Sequence, residues 1–186
     1  MSGLPRLLLA LLLLLPQGPL WAADYGFEVL RAELVEVDES YVLNADIDYR
    51  FSDPAIDALK NGVPLTLALR VKIVRDSAHW WSRADVDARM LFRVRYHSLA
   101  KLFQLVQEES GALHNFASFN ALLEYMGSIH DLPIAPLERL SKGQRYRARV
   151  AVDLDIESLP LPLRPVAYVT PAWYLSSPWY RWSFAN

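Results

Sequence analysis

The stretch Tyr41-Val42-Leu43-Asn44-Ala45-Asp46-Ile47-Asp48-Tyr49-Arg50-Phe51 decides the fold. Tyr41, Leu43, Ala45, Ile47, Tyr49 and Phe51 are apolar, while Asn44, Asp46, Asp48 and Arg50 between them are polar or charged. A strand turns successive side chains to opposite faces, so this spacing makes one dry and one wet face, whereas a helix would scatter the same residues around its axis. The pattern recurs along the chain. Leu65, Leu67, Leu69, Val71 and Ile73 alternate with Thr66, Ala68, Arg70 and Lys72. Val86, Ala88, Met90, Phe92, Val94 and Tyr96 form a third run, and Tyr146, Ala148, Val150, Val152, Leu154 and Ile156 a fourth. Phe27 to Val37 is a less regular strand, and Asp38-Glu39-Ser40 joins it to the first run as a hairpin.

The intervening segments are short. Asp53 can cap a helix with Pro54 at its first position and Asn61-Gly62 after its end, and Ser118 can cap a second that stops at Gly127. Leu99 to Gln107 fits either period; a strand is favoured, because Glu108 to Gly111 followed by Ala112 to Phe116 then reads as the return of a hairpin. Three prolines in Leu159-Pro160-Leu161-Pro162-Leu163-Arg164-Pro165 favour an extended or edge conformation for a Pro-rich segment at 158–165. Beyond it, 166–184 reads as a C-terminal aromatic hairpin with Ser176-Ser177-Pro178 at its turn. The expectation is a mainly β chain, an antiparallel β-sandwich-like domain with two short helices, over residues 23–186.

Residues 1–22 read as a signal peptide. Arg6 and the amino terminus precede Leu7 to Leu15, an apolar core of leucines with one alanine that is too short to span a bilayer, and Pro16, Gly18 and Pro19 end it before Ala22-Ala23. The expected destination after cleavage is the periplasm, with an uncleaved leader holding the chain at the inner membrane as the alternative. Membrane association is expected only if that segment is retained. The chain has 186 residues and no Cys, which excludes a lipid-modified lipoprotein and any disulfide scaffold. A net charge of −2 argues against nucleic acid as a partner.

Catalytic chemistry finds little support. His79, His97, His114 and His130 are spaced too widely for two to share a helical turn or strand face as metal ligands. There is no nucleophile elbow and no glycine-rich phosphate loop, so no catalytic, metal or cofactor-binding residue is assigned and no cofactor is expected. Asp46/Asp48, Asp85/Asp87 and Asp153/Asp155 each project from one side of a strand, as calcium or acid–base chemistry would require. Arg70, Lys72, Arg89, Arg93, Arg95, Arg147 and Arg149 fall on the same outer faces, however, and cross-strand ion pairs account for both signs.

The aromatics offer a candidate interaction surface: Trp80, Trp81, Trp173, Tyr174, Trp179, Tyr180 and Trp182, with Arg164 beside them. Adjacent aromatics on a strand point to opposite faces, so one core cannot bury them all. Trp80-Trp81, Tyr96-His97-Ser98-Leu99, Ser118-Phe119, Leu159 to Arg164 and Trp173-Tyr174-Leu175-Ser176-Ser177-Pro178-Trp179-Tyr180, in this order behind a leader, resemble the exported proteobacterial family called domain of unknown function 4390. The resemblance covers nearly all of the mature chain and is most specific in the two C-terminal motifs. It implies an exported protein without assigned activity or catalytic residues, and it suggests a membrane sensor kinase as partner, because genes of the family often lie near one.

Together these readings predict a non-catalytic binding or accessory protein of the envelope acting through protein–protein contacts. The alternative is a binder of a small envelope ligand, glycan or lipid, in a pocket of the β-domain. A sizeable cavity between sheet layers favours the alternative, and His97 or His130 clustered with an Asp pair would favour an enzyme.

Overall fold

A computed structural model describes residues 25–77 and 83–186. The expected leader and the Trp80-Trp81 pair lie outside them. In chain order the elements are β1 (Gly26–Val37), β2 (Ser40–Arg50), α1 (Asp53–Lys60), β3 (Leu65–Arg75), β4 (Val86–His97), β5 (Leu102–Gln107), β6 (Leu113–Phe116) and α2 (Phe119–Gly127). They continue with β7 (Ser128–Pro136), β8 (Arg145–Leu154), α3 (Arg164–Val169) and β9 (Tyr180–Ala185). The strands form two antiparallel sheets, one of order β1-β2-β7 and one of order β6-β5-β4-β3-β8-β9.

The period-two residues face inward as their spacing demands. Leu43 from the small sheet meets Leu65, Leu67, Leu69, Val71 and Ile73 from the large one in a single buried cluster with Tyr146 and Val150. The fold is therefore mainly β, two sheets closed on a shared apolar layer. Asp38 makes the tight β1–β2 turn with φ 52°, a left-handed conformation that Asp tolerates better than most residues. Leu102–Gln107 and Leu113–Phe116 form the expected hairpin.

Two features were not foreseen. Ser128–Pro136 is a strand although Pro133 and Pro136 interrupt it, which is possible because it pairs only with β2 and its other edge is open. The helices number three among the described residues, not two. The expected C-terminal hairpin at 166–184 does not form, since Arg164–Val169 is α3 and Pro171–Trp173 a 3-10 turn, each with a proline in its first positions. A proline's fixed φ suits the first turn of a helix, where its missing N–H is not needed, so prolines read as barriers to a central strand also open two helical turns. Only Tyr180–Ala185 is a strand; it pairs with β8 and turns Tyr180, Trp182 and Phe184 to one face, as expected.

The helix caps split in the same way. Ser118 Oγ accepts from Ala121 N at 3.1 Å as the α2 cap. At α1 the capping position is Ser52, one residue before Asp53, and its hydroxyl donates to the Ala172 carbonyl at 2.6 Å, tying the helix to the C-terminal segment.

Candidate functional site

At one end of the molecule the two sheets do not close. A cleft of about 250 Å³ remains between the β2–β7 edge and the β4–β5 hairpin, with α2 beside it. Its walls are Phe92 of β4, Leu105 of β5, Met126 at the end of α2, and Ile129 and Leu132 of β7. α2 approaches β2 closely here, because a Cβ on Gly127 would stand 2.8 Å from the Ile47 carbonyl oxygen. That contact, which only glycine permits, sets where Met126 lies.

Polar groups reach this apolar cleft from inward positions. Tyr49 continues the buried face of β2 and is 7% exposed, and its hydroxyl has no hydrogen-bond partner among the described residues. Burial pushes its phenol well above the usual tyrosine range, so it stays a neutral donor at any physiological pH. Gln107 stands opposite Phe92, in line with the inward Phe103 and Leu105, and its side-chain amide also lacks a partner among the described residues. Ser128 and His130 of the edge strand complete the rim, their side chains 2.9 Å apart. The sequence carries the signal at Gln107, where an amide replaces an aliphatic at an inward position, yet a segment that fits either period and is read as a strand from its hairpin return does not say which of its residues face inward.

The aromatic surface expected from the sequence is not one surface. Trp173 is 6% exposed and belongs to the core, which removes it from any interaction face. Tyr174 next to it is exposed, and its hydroxyl donates to the Tyr168 carbonyl. Tyr180 and Trp182 are half-buried against the core with ring centroids 5.9 Å apart. Trp179 lies on the outer side of the large sheet, with the guanidinium carbons of Arg70 and Arg149 at 5.3 and 4.7 Å from its ring centroid. Arg164 sits 3.5 Å from Glu157 and donates to the Leu159 carbonyl at 2.8 Å, so it braces the Pro-rich segment. That segment is a turn leading into α3, not the extended edge its prolines suggested.

Of the three carboxylate pairs, Asp85/Asp87 and Asp153/Asp155 meet cations of other strands, whereas Asp48 pairs with Arg50 of its own strand and Asp46 has no ion pair among the described residues. Asp153 pairs with Arg70 at 2.7 Å, Asp155 with Arg89 at 3.0 Å and Asp87 with Lys72 at 2.9 Å. Asp153 is titrated upward chiefly by burial, with the Arg70 and Arg89 charges opposing it. His130 shares a shallow depression with Asp46, but no carboxylate lies within ion-pair distance of its ring among the described residues. No group of three or more His, Asp or Glu among those residues is placed to hold a metal, and no helix among them is long and apolar enough to cross a membrane.

The family model of the domain of unknown function (DUF4390) matches residues 24–183, and the chain belongs to that family. No curated protein and no solved structure matches it.

Proposed function

We propose that the chain is an exported, non-catalytic binding protein of the bacterial envelope, and that its cleft takes a small, chiefly apolar molecule bearing a hydrogen-bond acceptor. The Tyr49 hydroxyl carries this reading. It opens onto the cleft with no protein partner among the described residues, so a ligand acceptor that displaces solvent there gains a hydrogen bond the fold leaves unmade. The Gln107 amide beside it adds both a donor and an acceptor, and the surrounding Phe92, Leu105, Met126 and Ile129 supply the apolar contact. A volume of about 250 Å³ admits a small molecule or the end of a longer chain, being below the roughly 300–1,000 Å³ of drug-sized sites.

The test is a native intact mass of the protein recovered from the envelope without refolding, alongside Ile129→Trp, which fills the cleft from a half-buried edge position. The reading expects a reproducible extra mass on the wild type that is missing from the filled variant. A bare chain in both, or the same passenger on both, overturns it.

A second reading, a protein partner, draws on a different observation. Leu161, Val166, Tyr168, Val169 and Tyr174 are all exposed within the segment around α3. Their polar tips are already used, since the Tyr168 hydroxyl donates to Glu157 and that of Tyr174 to Tyr168. A partner on this patch would therefore present apolar side chains, not hydrogen-bonding groups. Val169→Asp separates the readings, because it abolishes capture of such a partner and leaves the passenger in the cleft.

A further inference from the structure

The outer face of the large sheet carries a charge arrangement that no feature of the cleft explains. Register places Lys72 of β3 directly opposite Arg149 of β8, and Arg149 directly opposite Arg181 of β9. Neighbouring strands lie about 4.8 Å apart, so three cations stand in one row across three strands, and like charges in direct opposition destabilise a sheet.

Elsewhere on this face the same problem is relieved. Arg70 stands opposite Arg89, yet Asp153 answers the first and Asp155 the second. Arg93 has Glu108, and Lys72 has Asp87 on its far side. Arg149 and Arg181 have no carboxylate within ion-pair distance among the described residues, and Arg83 near them has none either. Arg149 is instead held by the Trp179 ring, and Arg181 Nη1 reaches only the Trp179 carbonyl, at 3.4 Å. The row lies in a groove of about 600 Å³ lined by Lys72, Arg83, Arg147, Arg149 and Arg181 with Asp87 at one side. The whole chain is net negative, so this local excess does not follow from composition.

We propose that this groove is a binding site for a phosphate-type oxyanion, with Arg149 and Arg181 as its principal ligands and Lys72 and Arg83 beside them. Guanidinium forks match the spacing of phosphate oxygens and bind them in pairs, which a single chloride or a carbonyl cannot exploit. Trp179 contributes by fixing the Arg149 fork before the ligand arrives, so less side-chain freedom is lost on binding. The site lies on the opposite side of the large sheet from the cleft, and neither depends on the other.

The experiment titrates the full chain with inorganic pyrophosphate by calorimetry at low ionic strength, and with vesicles of phosphatidylcholine alone or mixed with phosphatidylglycerol. The proposal expects saturable pyrophosphate binding that weakens at least tenfold in the double variant R149Q/R181Q and weakens further with added salt. Vesicle binding that requires phosphatidylglycerol and is lost in the same variant identifies a lipid headgroup as the source; pyrophosphate binding without it identifies a free phosphorylated ligand. Thermal unfolding without ligand is the folding control, and the double variant should melt no lower than the wild type because an opposed pair of charges has been removed. The proposal is overturned if neither probe binds, or if both bind R149Q/R181Q as tightly as the wild type.

Discussion

Two buried tyrosines, one from each sheet, set the two ends of the molecule side by side. Tyr146 of β8 is fully buried, stacks on Phe184 at 5.8 Å between centroids, and its hydroxyl accepts from Ser141 N at 2.8 Å. Tyr49 of β2 is nearly as buried and packs on Phe27 at 5.1 Å, but its hydroxyl meets no protein group among the described residues. One end of the sandwich is thus finished, its polar atoms paired within the fold, while the other holds a donor and an amide in reserve. The same residue type at the same inward period gives a structural bond in one place and a candidate ligand contact in the other. What separates them is whether a neighbouring chain segment arrives to close the layer.

The largest effect that would sharpen this contrast is truncation. Tyr146→Ala removes a fully enclosed ring, and the expected loss is about 4 kcal/mol in urea unfolding, in line with large-to-small substitutions in filled cores. Tyr49→Ala should lose clearly less, because part of the vacated volume merges with a cleft that already exists. Equal losses would mean the two ends are packed alike, and the contrast would fail. Gly127→Ala comes next. A methyl group 2.8 Å from the Ile47 carbonyl oxygen must push α2 off β2, at a cost of roughly 1–3 kcal/mol, and should change cleft occupancy because Met126 moves with it.

A finer test deletes only the hydroxyls. Tyr146→Phe strands the Ser141 N–H and should cost about 1 kcal/mol. Tyr49→Phe loses no protein hydrogen bond and should be neutral or slightly stabilising in the ligand-free protein, while weakening retention of the passenger. A Tyr49→Phe variant as destabilised as Tyr146→Phe would show that the phenol has a structural partner after all. Chemical denaturation of both variants, freed of passenger, decides it.

The sandwich could be read from the chain because its cause is local: alternation in β2, β3, β4 and β8 is a property of consecutive residues. The C-terminal segment could not, because its outcome depends on context. Pro165 and Pro171 forbid a central strand in either conformation, and nothing within 159–175 says whether the alternative is an extended edge or a helical first turn. Docking of Ala172 onto Ser52 and burial of Trp173 settle that from far away in sequence. β7 was missed for a related reason, since a strand carrying Pro133 and Pro136 announces itself only once β2 offers it an edge. The cleft was half legible: alternation in β2 places Tyr49 on the inward face, whereas the inward position of Gln107 and the gap between β4–β5 and β7 that leaves both side chains unpaired emerge only in three dimensions.

The smallest expected effect concerns charge, and it extends the contrast from the ends of the sandwich to its outer face. Burial raises the pKa of Tyr49 and of Asp153 alike, but the phenol moves further from physiological pH whereas the carboxyl moves toward it. Binding in the cleft should accordingly be flat with pH wherever Tyr49 is the donor. Asp153 behaves otherwise. Its native pKa lies above the ordinary 3.8, so between those two values the folded protein holds more proton than the unfolded chain. In that window stability falls as pH rises, and the loss is complete above the native pKa. Asp153→Asn removes this slope but also leaves Arg70 without its carboxylate, so the informative quantity is the difference in slope between wild type and variant, not the offset. Urea midpoints measured across the acid range supply it: a difference that declines as pH rises supports desolvation as the dominant influence on Asp153, and one that grows with pH would show that Arg70 and Arg89 outweigh it.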